Sequence, residues 1–372
     1  MPRTARQEDG RGERRSSPRP ARGAADDRID LEALAAALLH RAPLATRWVR
    51  CQFHEFSLSC AATGDRLACA TRECLRPFAD KPPSSGSLLH IFVCEVNGEE
   101  ALTPGPLAGI QPSLACESRA GAEYRSCSRG PVSVTQLLPY AVRAVDTERG
   151  VALCCVNADS GAPTGAIAQS VVQGALVALL RAQHWYAVHA AAAGRGGRAV
   201  LITGGGGVGK TTLALALVRA GYKCLGDDQI LVARRNGQPV LHCLSSRISF
   251  RADMCTLLPE LRSAPPAHGQ RSVGKRAAFM EDVFRKSVAA TAEPALILAP
   301  RLSGGQESSV EELSRTEALR ILVDSSPGRL EPAAGAVFFE LVADLVDASR
   351  CYRLGFGRDL DGAVRLIDSL MG

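Results

Sequence analysis

The sequence predicts an α/β fold, a mixed sheet built around a phosphate-binding loop, with a β-rich N-terminal region. Three observations predict it. An apolar strand, Ala199 to Thr203, runs straight into a glycine-rich loop and then into a helix-forming run. Apolar and polar residues alternate with the period of half-buried strands between Val49 and Val96. Apolar residues recur with helical spacing over Ile167 to Leu180 and at Val337, Leu341 and Leu345. At 372 residues the chain exceeds the usual size of one domain. It divides into a basic, disordered tail over residues 1–28, a β-rich domain over 29–160 and a domain carrying the glycine loop over 161–372.

The tail holds eight Arg against five acids, so half of the formal net charge of +6 lies there. Such a run reads as a solvated arm, and the balanced remainder predicts no nucleic-acid partner. The N-terminus has no apolar stretch behind its charges, and the longest apolar run, Val171 to Leu180, is too short to span a bilayer. A cytoplasmic protein with no membrane partner is expected. The thirteen cysteines never take C-x-x-C spacing and read as reduced, small apolar residues. Cys154 and Cys155 sit side by side in the run Val151 to Val156, where neighbouring side chains face opposite ways.

Asp30 ahead of Leu31, Leu34 and Leu38 reads as an N-capped amphipathic helix. Val49 to Phe53 and Phe56 to Cys60 read as strands. Leu89 to Val96 is another, ended by the turn pair Asn97-Gly98. Long connections are expected at Lys81 to Ser87 and Thr103 to Gly109. Beyond the glycine loop, Gly221 closes the helix Thr212 to Ala220, and Gln229 to Leu244 forms a hairpin about Asn236-Gly237. Ala295 to Ala299 is a buried strand, and Ser314 with Glu317 makes a capping box.

The chemistry concentrates at Gly204-Gly205-Gly206-Gly207-Val208-Gly209-Lys210-Thr211, followed by Thr212. A triphosphate needs backbone N–H groups turned inward around a tight curve that side chains would obstruct, with a helix N-terminus behind them. Lys210 is placed to reach the β- and γ-phosphates, and the Thr211 hydroxyl to take a Mg2+ position. ATP and Mg2+ are therefore the expected ligands. The magnesium also needs an acid at the end of a neighbouring strand, and Asp227-Asp228 follows one helix and one apolar strand later. One carboxylate can hold the metal while the other accepts a proton from an attacking hydroxyl. His189 ends an apolar run whose strand precedes the loop strand and can lie beside it.

His189-Ala190-Ala191, the loop with Leu213-Ala214-Leu215-Ala216-Leu217, and Gly226-Asp227-Asp228 together resemble the HPr kinase/phosphorylase catalytic domain and its relatives. The arrangement is more distantly similar to ATP-dependent phosphoenolpyruvate carboxykinase. The resemblance spans roughly residues 185 to 370. It implies a mixed sheet of that type and an ATP-dependent kinase acting on a serine of a protein or peptide acceptor. A homo-oligomer is also compatible with it. It further implies that Asp227 is the base, Asp228 lies near magnesium, and His189 and Lys210 belong to the catalytic set. The Glu-containing, Gly-rich signature that HPr kinases carry after the acid pair is not matched at Leu244 to Phe250, which argues against HPr itself as acceptor.

Arg247, Arg251, Lys275 and Arg301 are further cations that phosphate or substrate can meet, though each reads first as a surface residue. Leu302-Ser303-Gly304-Gly305-Gln306 matches the signature peptide of ABC-type ATPases, with Ile321-Leu322-Val323-Asp324 at the distance of their acidic strand. Ser325 replaces the catalytic Glu there, and every histidine lies at or before His268. None of the three asparagines begins the Asn-Lys-x-Asp guanine reader of a GTPase. The stronger rival is an ATP-binding regulatory or biosynthetic-accessory module without phosphotransfer.

Overall fold

The computed structural model describes residues 46–84, 86–98, 102, 114–117, 123–267, 274–303, 307–326 and 332–372. The tail and the helix expected after Asp30 lie outside them, as does the connection Thr103 to Gly109. The chain is a mixed α/β protein with a β-rich N-terminal region, and among the described residues it forms two large sheets and a two-stranded ribbon.

The first sheet holds β1 (Thr46–Phe53), β2 (Phe56–Thr63), β3 (Leu88–Val96), β4 (Leu114–Glu117), β5 (Glu123–Arg129), β6 (Val132–Leu138), β7 (Ala141–Asp146) and β8 (Val151–Asn157). Their order is β1-β2-β3-β8-β7-β6-β5-β4, with β3 parallel to both β2 and β8. Helix α1 (Gly64–Cys74) makes the first parallel crossover, and Leu67, Ala70 and Cys74 pack it on the sheet. The Cys154 thiol enters this core while that of Cys155 enters the apolar cluster on the opposite face, as strand alternation requires. The cysteines among the described residues are unbridged.

Helix α2 runs through Thr164–Arg181 with a π-type segment over Ile167–Gln173. Among the described residues this helix is long and apolar enough to cross a membrane by length and composition, which corrects the shorter run expected from sequence. Half of it is buried within the fold, where Ile167, Val171, Leu176 and Leu180 sit in the core beside α1.

The second sheet is ordered β12-β10-β11-β17-β14-β13-β9. Its strands are β9 (Tyr186–Val188), β10 (Ala190–Arg195), β11 (Arg198–Thr203), β12 (Lys223–Gly226), β13 (Ile230–Arg235), β14 (Gln238–Cys243) and β17 (Thr291–Leu302). The ribbon pairs β15 (Arg247–Arg251) with β16 (Lys275–Phe279). β18 (Ser309–Glu312) joins β19 (Arg350–Phe356), which pairs in parallel with the far half of β17. The expected hairpin is β13-β14, with Asn236 and Gly237 both at positive φ as a tight two-residue turn demands.

Helix α3 (Lys210–Arg219) and helix α6 (Leu360–Met371) cover one face of this sheet, together with the ribbon. Helix α4 (Arg315–Ser325), opened by the Ser314–Glu317 capping box, and helix α5 (Pro332–Asp347) cover the other. Asp324 therefore lies on α4 and not on an acidic strand, which removes the ABC-type arrangement. Gly304, Gly305 and Gln306 of that motif lie outside the described residues.

Candidate functional site

β10, β11 and β12 bring three separate stretches of sequence to one edge of the second sheet. Ala190, the first residue of β10, pairs with Thr203, the last residue before the glycine loop. Ala192, two residues on, pairs with Gly226, the residue before the acid pair. His189, the loop and Asp227-Asp228 are thus neighbours because of strand register, although up to thirty-nine positions separate them in sequence. β11 and β17 run parallel, so their C-terminal ends meet at this edge, the usual place for a ligand in such sheets.

The loop from Gly204 to Gly209 takes left-handed backbone at Gly204, Gly207 and Gly209. At Gly209 the requirement is double. Its φ is +98°, and an added Cβ would stand 2.5 Å from the Phe356 ring. Glycines 205 to 207 are exposed. Helix α3 begins at Lys210, which is buried and donates from Nζ to the carbonyl oxygens of Gly204 at 2.7 Å and Gly205 at 2.8 Å. The lysine thus spans the loop, and its charge lies behind the curved backbone.

The two carboxylates sit in different surroundings. Asp227 accepts from the Thr211 hydroxyl at 2.8 Å on one oxygen and from the Ser249 backbone N–H at 3.2 Å on the other. Burial raises its carboxyl to about 6, and the neighbouring Asp228 adds to the rise, against the opposing pull of Thr211, Ser249 and Lys210. Asp228 takes a left-handed backbone, φ +83°. Its Oδ1 lies 3.3 Å from Nδ1 of His189, and both side chains are about one-third exposed. His189 therefore meets Asp228. Among the described residues no cluster of three or more His, Cys, Asp or Glu is arranged to hold a metal ion.

No family model matches the chain, and no curated protein matches it. Among solved structures it is similar to the Hpr(Ser) kinase/phosphatase from Coxiella burnetii, at 16% identity and a TM-score of 0.25, over 50% of this chain and 92% of that one. The likeness is distant.

The four flanking cations are divided. Arg247, expected at the surface, is buried and paired at 3.8 Å with Glu73 of α1, itself 9% exposed. Arg251 is exposed and paired with Asp253, while Lys275 and Arg301 are exposed. Sequence reading did not single out Ser249, which acts through its backbone N–H and so leaves no side-chain signature. Nor did it reveal Phe356, or that Leu302 joins it in closing on Gly209 from the ends of β19 and β17. A heavy apolar residue ending a strand beside a loop was the available signal.

Proposed function

We propose that the protein is an ATP-dependent phosphotransferase, moving the γ-phosphate of ATP to a hydroxyl, a serine of a protein or peptide acceptor. One observation carries this reading. A glycine loop on a helix N-terminus, a hydroxyl–carboxylate pair and a separate histidine–carboxylate pair converge at one sheet edge.

The inward backbone N–H groups of the loop and the positive end of α3 suit a triphosphate. Lys210, turned from the carbonyls of Gly204 and Gly205, brings its charge to the β- and γ-phosphates. Thr211 and Asp227 offer two hard oxygens already 2.8 Å apart, a donor set that suits magnesium when phosphate and water supply the rest. Bound magnesium would neutralise charge on the β- and γ-oxygens.

In the transfer, the acceptor oxygen bonds to the γ-phosphorus as the bond to the β–γ bridging oxygen breaks. ADP leaves with that electron pair, and the acceptor proton passes to a carboxylate. Asp227 has both oxygens engaged and favours the metal side. Asp228, steadied by His189 and partly open, favours the base. These roles are exchanged relative to those the family resemblance implies.

Incubation with labelled ATP, magnesium and candidate seryl proteins tests the proposal. Label on an acceptor, lost in Asp228→Asn, supports it. ATP binding with no labelled acceptor would favour an accessory module.

A further inference from the structure

The order of the second sheet gives a bound triphosphate a direction. The acid pair follows β12, the glycine loop follows β11 with β10 between them, and β17 and then β19 lie on the far side of β11. Thr211 and Asp227, 2.8 Å apart, mark the metal side of the loop. A triphosphate whose γ-phosphate faces the acids therefore carries its α-phosphate, and the nucleoside beyond it, over the C-terminal ends of β17 and β19.

Leu302 and Phe356, register partners at the ends of those two strands, stand there. Both close on the loop, since a Cβ added at Gly209 would lie 2.5 Å from the Phe356 ring and 3.3 Å from a Leu302 methyl carbon. Their exposures differ. Phe356 is 1% exposed, its ring taken up by the loop and the core, whereas Leu302 is 58% exposed, the most exposed large apolar side chain among the described residues. Single apolar side chains at a surface are ordinary. This one is set apart by its place, for one methyl lies against the last glycine of the loop while most of the side chain faces solvent.

Its backbone is also held. The Ser303 N–H donates to the Phe356 carbonyl oxygen at 2.9 Å, which carries the β17–β19 pairing past Leu302 and seats the side chain on the strand framework. A nucleotide base has flat apolar faces and a polar edge, and ligand sites meet such faces with apolar side chains. Contact through a face scales with the area covered, so a two-ring base gains more from Leu302 than a one-ring base.

We propose that Leu302 is the platform for the base of the bound nucleotide and sets a preference for purine over pyrimidine nucleoside triphosphates, an inference that rests on the phosphotransferase reading above.

The test titrates the magnesium complexes of ATP, CTP and inorganic tripolyphosphate into the full-length wild type and Leu302→Ser by calorimetry. The substitution should weaken ATP about tenfold, draw the ATP and CTP affinities together, and leave tripolyphosphate unchanged because it has no base. In Leu302→Trp, ATP should quench fluorescence that tripolyphosphate leaves unaltered, measured against the wild-type background. The proposal is overturned if Leu302→Ser binds ATP as the wild type does. It is also overturned if that variant loses ATP and tripolyphosphate alike, which would make the leucine a brace for Gly209. Failure of the nucleotide reading has its own signature, since the wild type would then bind neither ATP nor tripolyphosphate, and the platform would fall with it.

Discussion

Thr211 donates its hydroxyl hydrogen to Asp227 across 2.8 Å, tying the first turn of α3 to the acid pair beyond β12. Asp227→Asn should therefore lower magnesium-dependent ATP affinity by roughly tenfold or more, the worth of a charge-assisted contact. Its carboxyl lies at about 6 in the folded protein against an ordinary 3.8. The folded state thus bears a cost that is complete above pH 6 and is relieved as pH falls from 6 toward 3.8. The same substitution should stabilise the protein at pH 8 by about 1–2 kcal/mol, less than a two-unit shift implies because the group is partly exposed. Calorimetric titration and thermal unfolding at pH 8 check both effects, and unchanged ATP affinity would sink the metal role.

Asp228→Asn should behave differently. ATP affinity should hold while transfer to an acceptor hydroxyl falls by roughly 10²- to 10⁴-fold, the usual worth of a general base. An acceptor-phosphorylation assay beside the ATP titration decides. Full transfer by Asp228→Asn with loss in Asp227→Asn would restore the opposite assignment.

Lys210→Ala should weaken ATP by about tenfold to a hundredfold, since it removes the charge facing the phosphates. It also releases the carbonyls of Gly204 and Gly205 from their donor. A dissociation constant equal to that of the wild type would contradict the placement of the triphosphate on this loop.

Gly209→Ala tests the loop without changing charge. A methyl group there meets the Phe356 ring on a backbone at φ +98°, so ATP binding should fall although Lys210 and Thr211 remain. Phe356→Leu in the same chain should relieve the contact but not the backbone strain, giving partial recovery at most. Complete recovery would show that strain at this residue is unimportant.

His242 is 6% exposed with neither ring nitrogen hydrogen-bonded, and it packs at a tilt against Trp185 and edge-on to His54. His54 packs against Phe53 and Phe78 and contacts the Cys243 carbonyl oxygen at 2.7 Å. Burial lowers His242 to about 3, helped by His54 and Arg235, and lowers His54 to about 4, with Lys81 adding to the fall against the Cys243 carbonyl. Both lie below the ordinary 6.5, so between those values the unfolded chain binds protons that the folded one excludes. Stability should be flat above pH 6.5 and fall by roughly 2–4 kcal/mol by pH 4.5. His242→Phe should flatten that decline in urea unfolding curves, and an unaltered slope would count against the cause.

Much of the fold was legible because its signals are local. Asn236-Gly237 marks a hairpin, Ser314 with Glu317 marks a helix start, and the alternation around Cys154 and Cys155 marks a two-faced strand. The juxtaposition of His189, the loop and the acid pair was readable only in outline, since it depends on which strand lies beside which. The partner of His189 was not readable at all. It depends on how β10 registers against β12 and on the backbone at Asp228, which is left-handed, a conformation that sequence leaves open for Asp. The burial of Arg247 was hidden for a like reason, because its counter-charge, Glu73, comes from a helix far upstream.

Leu231 and Cys243 of the second sheet, and Trp185 just ahead of β9, share one apolar cluster with Phe53, Leu67 and Leu176 of the N-terminal half. Melting either sheet therefore strips cover from the other, and the two are linked in a single cooperative transition. A ligand gripping the loop subtracts from that one unfolding equilibrium, so nucleotide should raise the melting temperature of both sheets together. The shared hydrophobic seam makes the thermal stability of the intact protein a gauge of what the glycine loop holds.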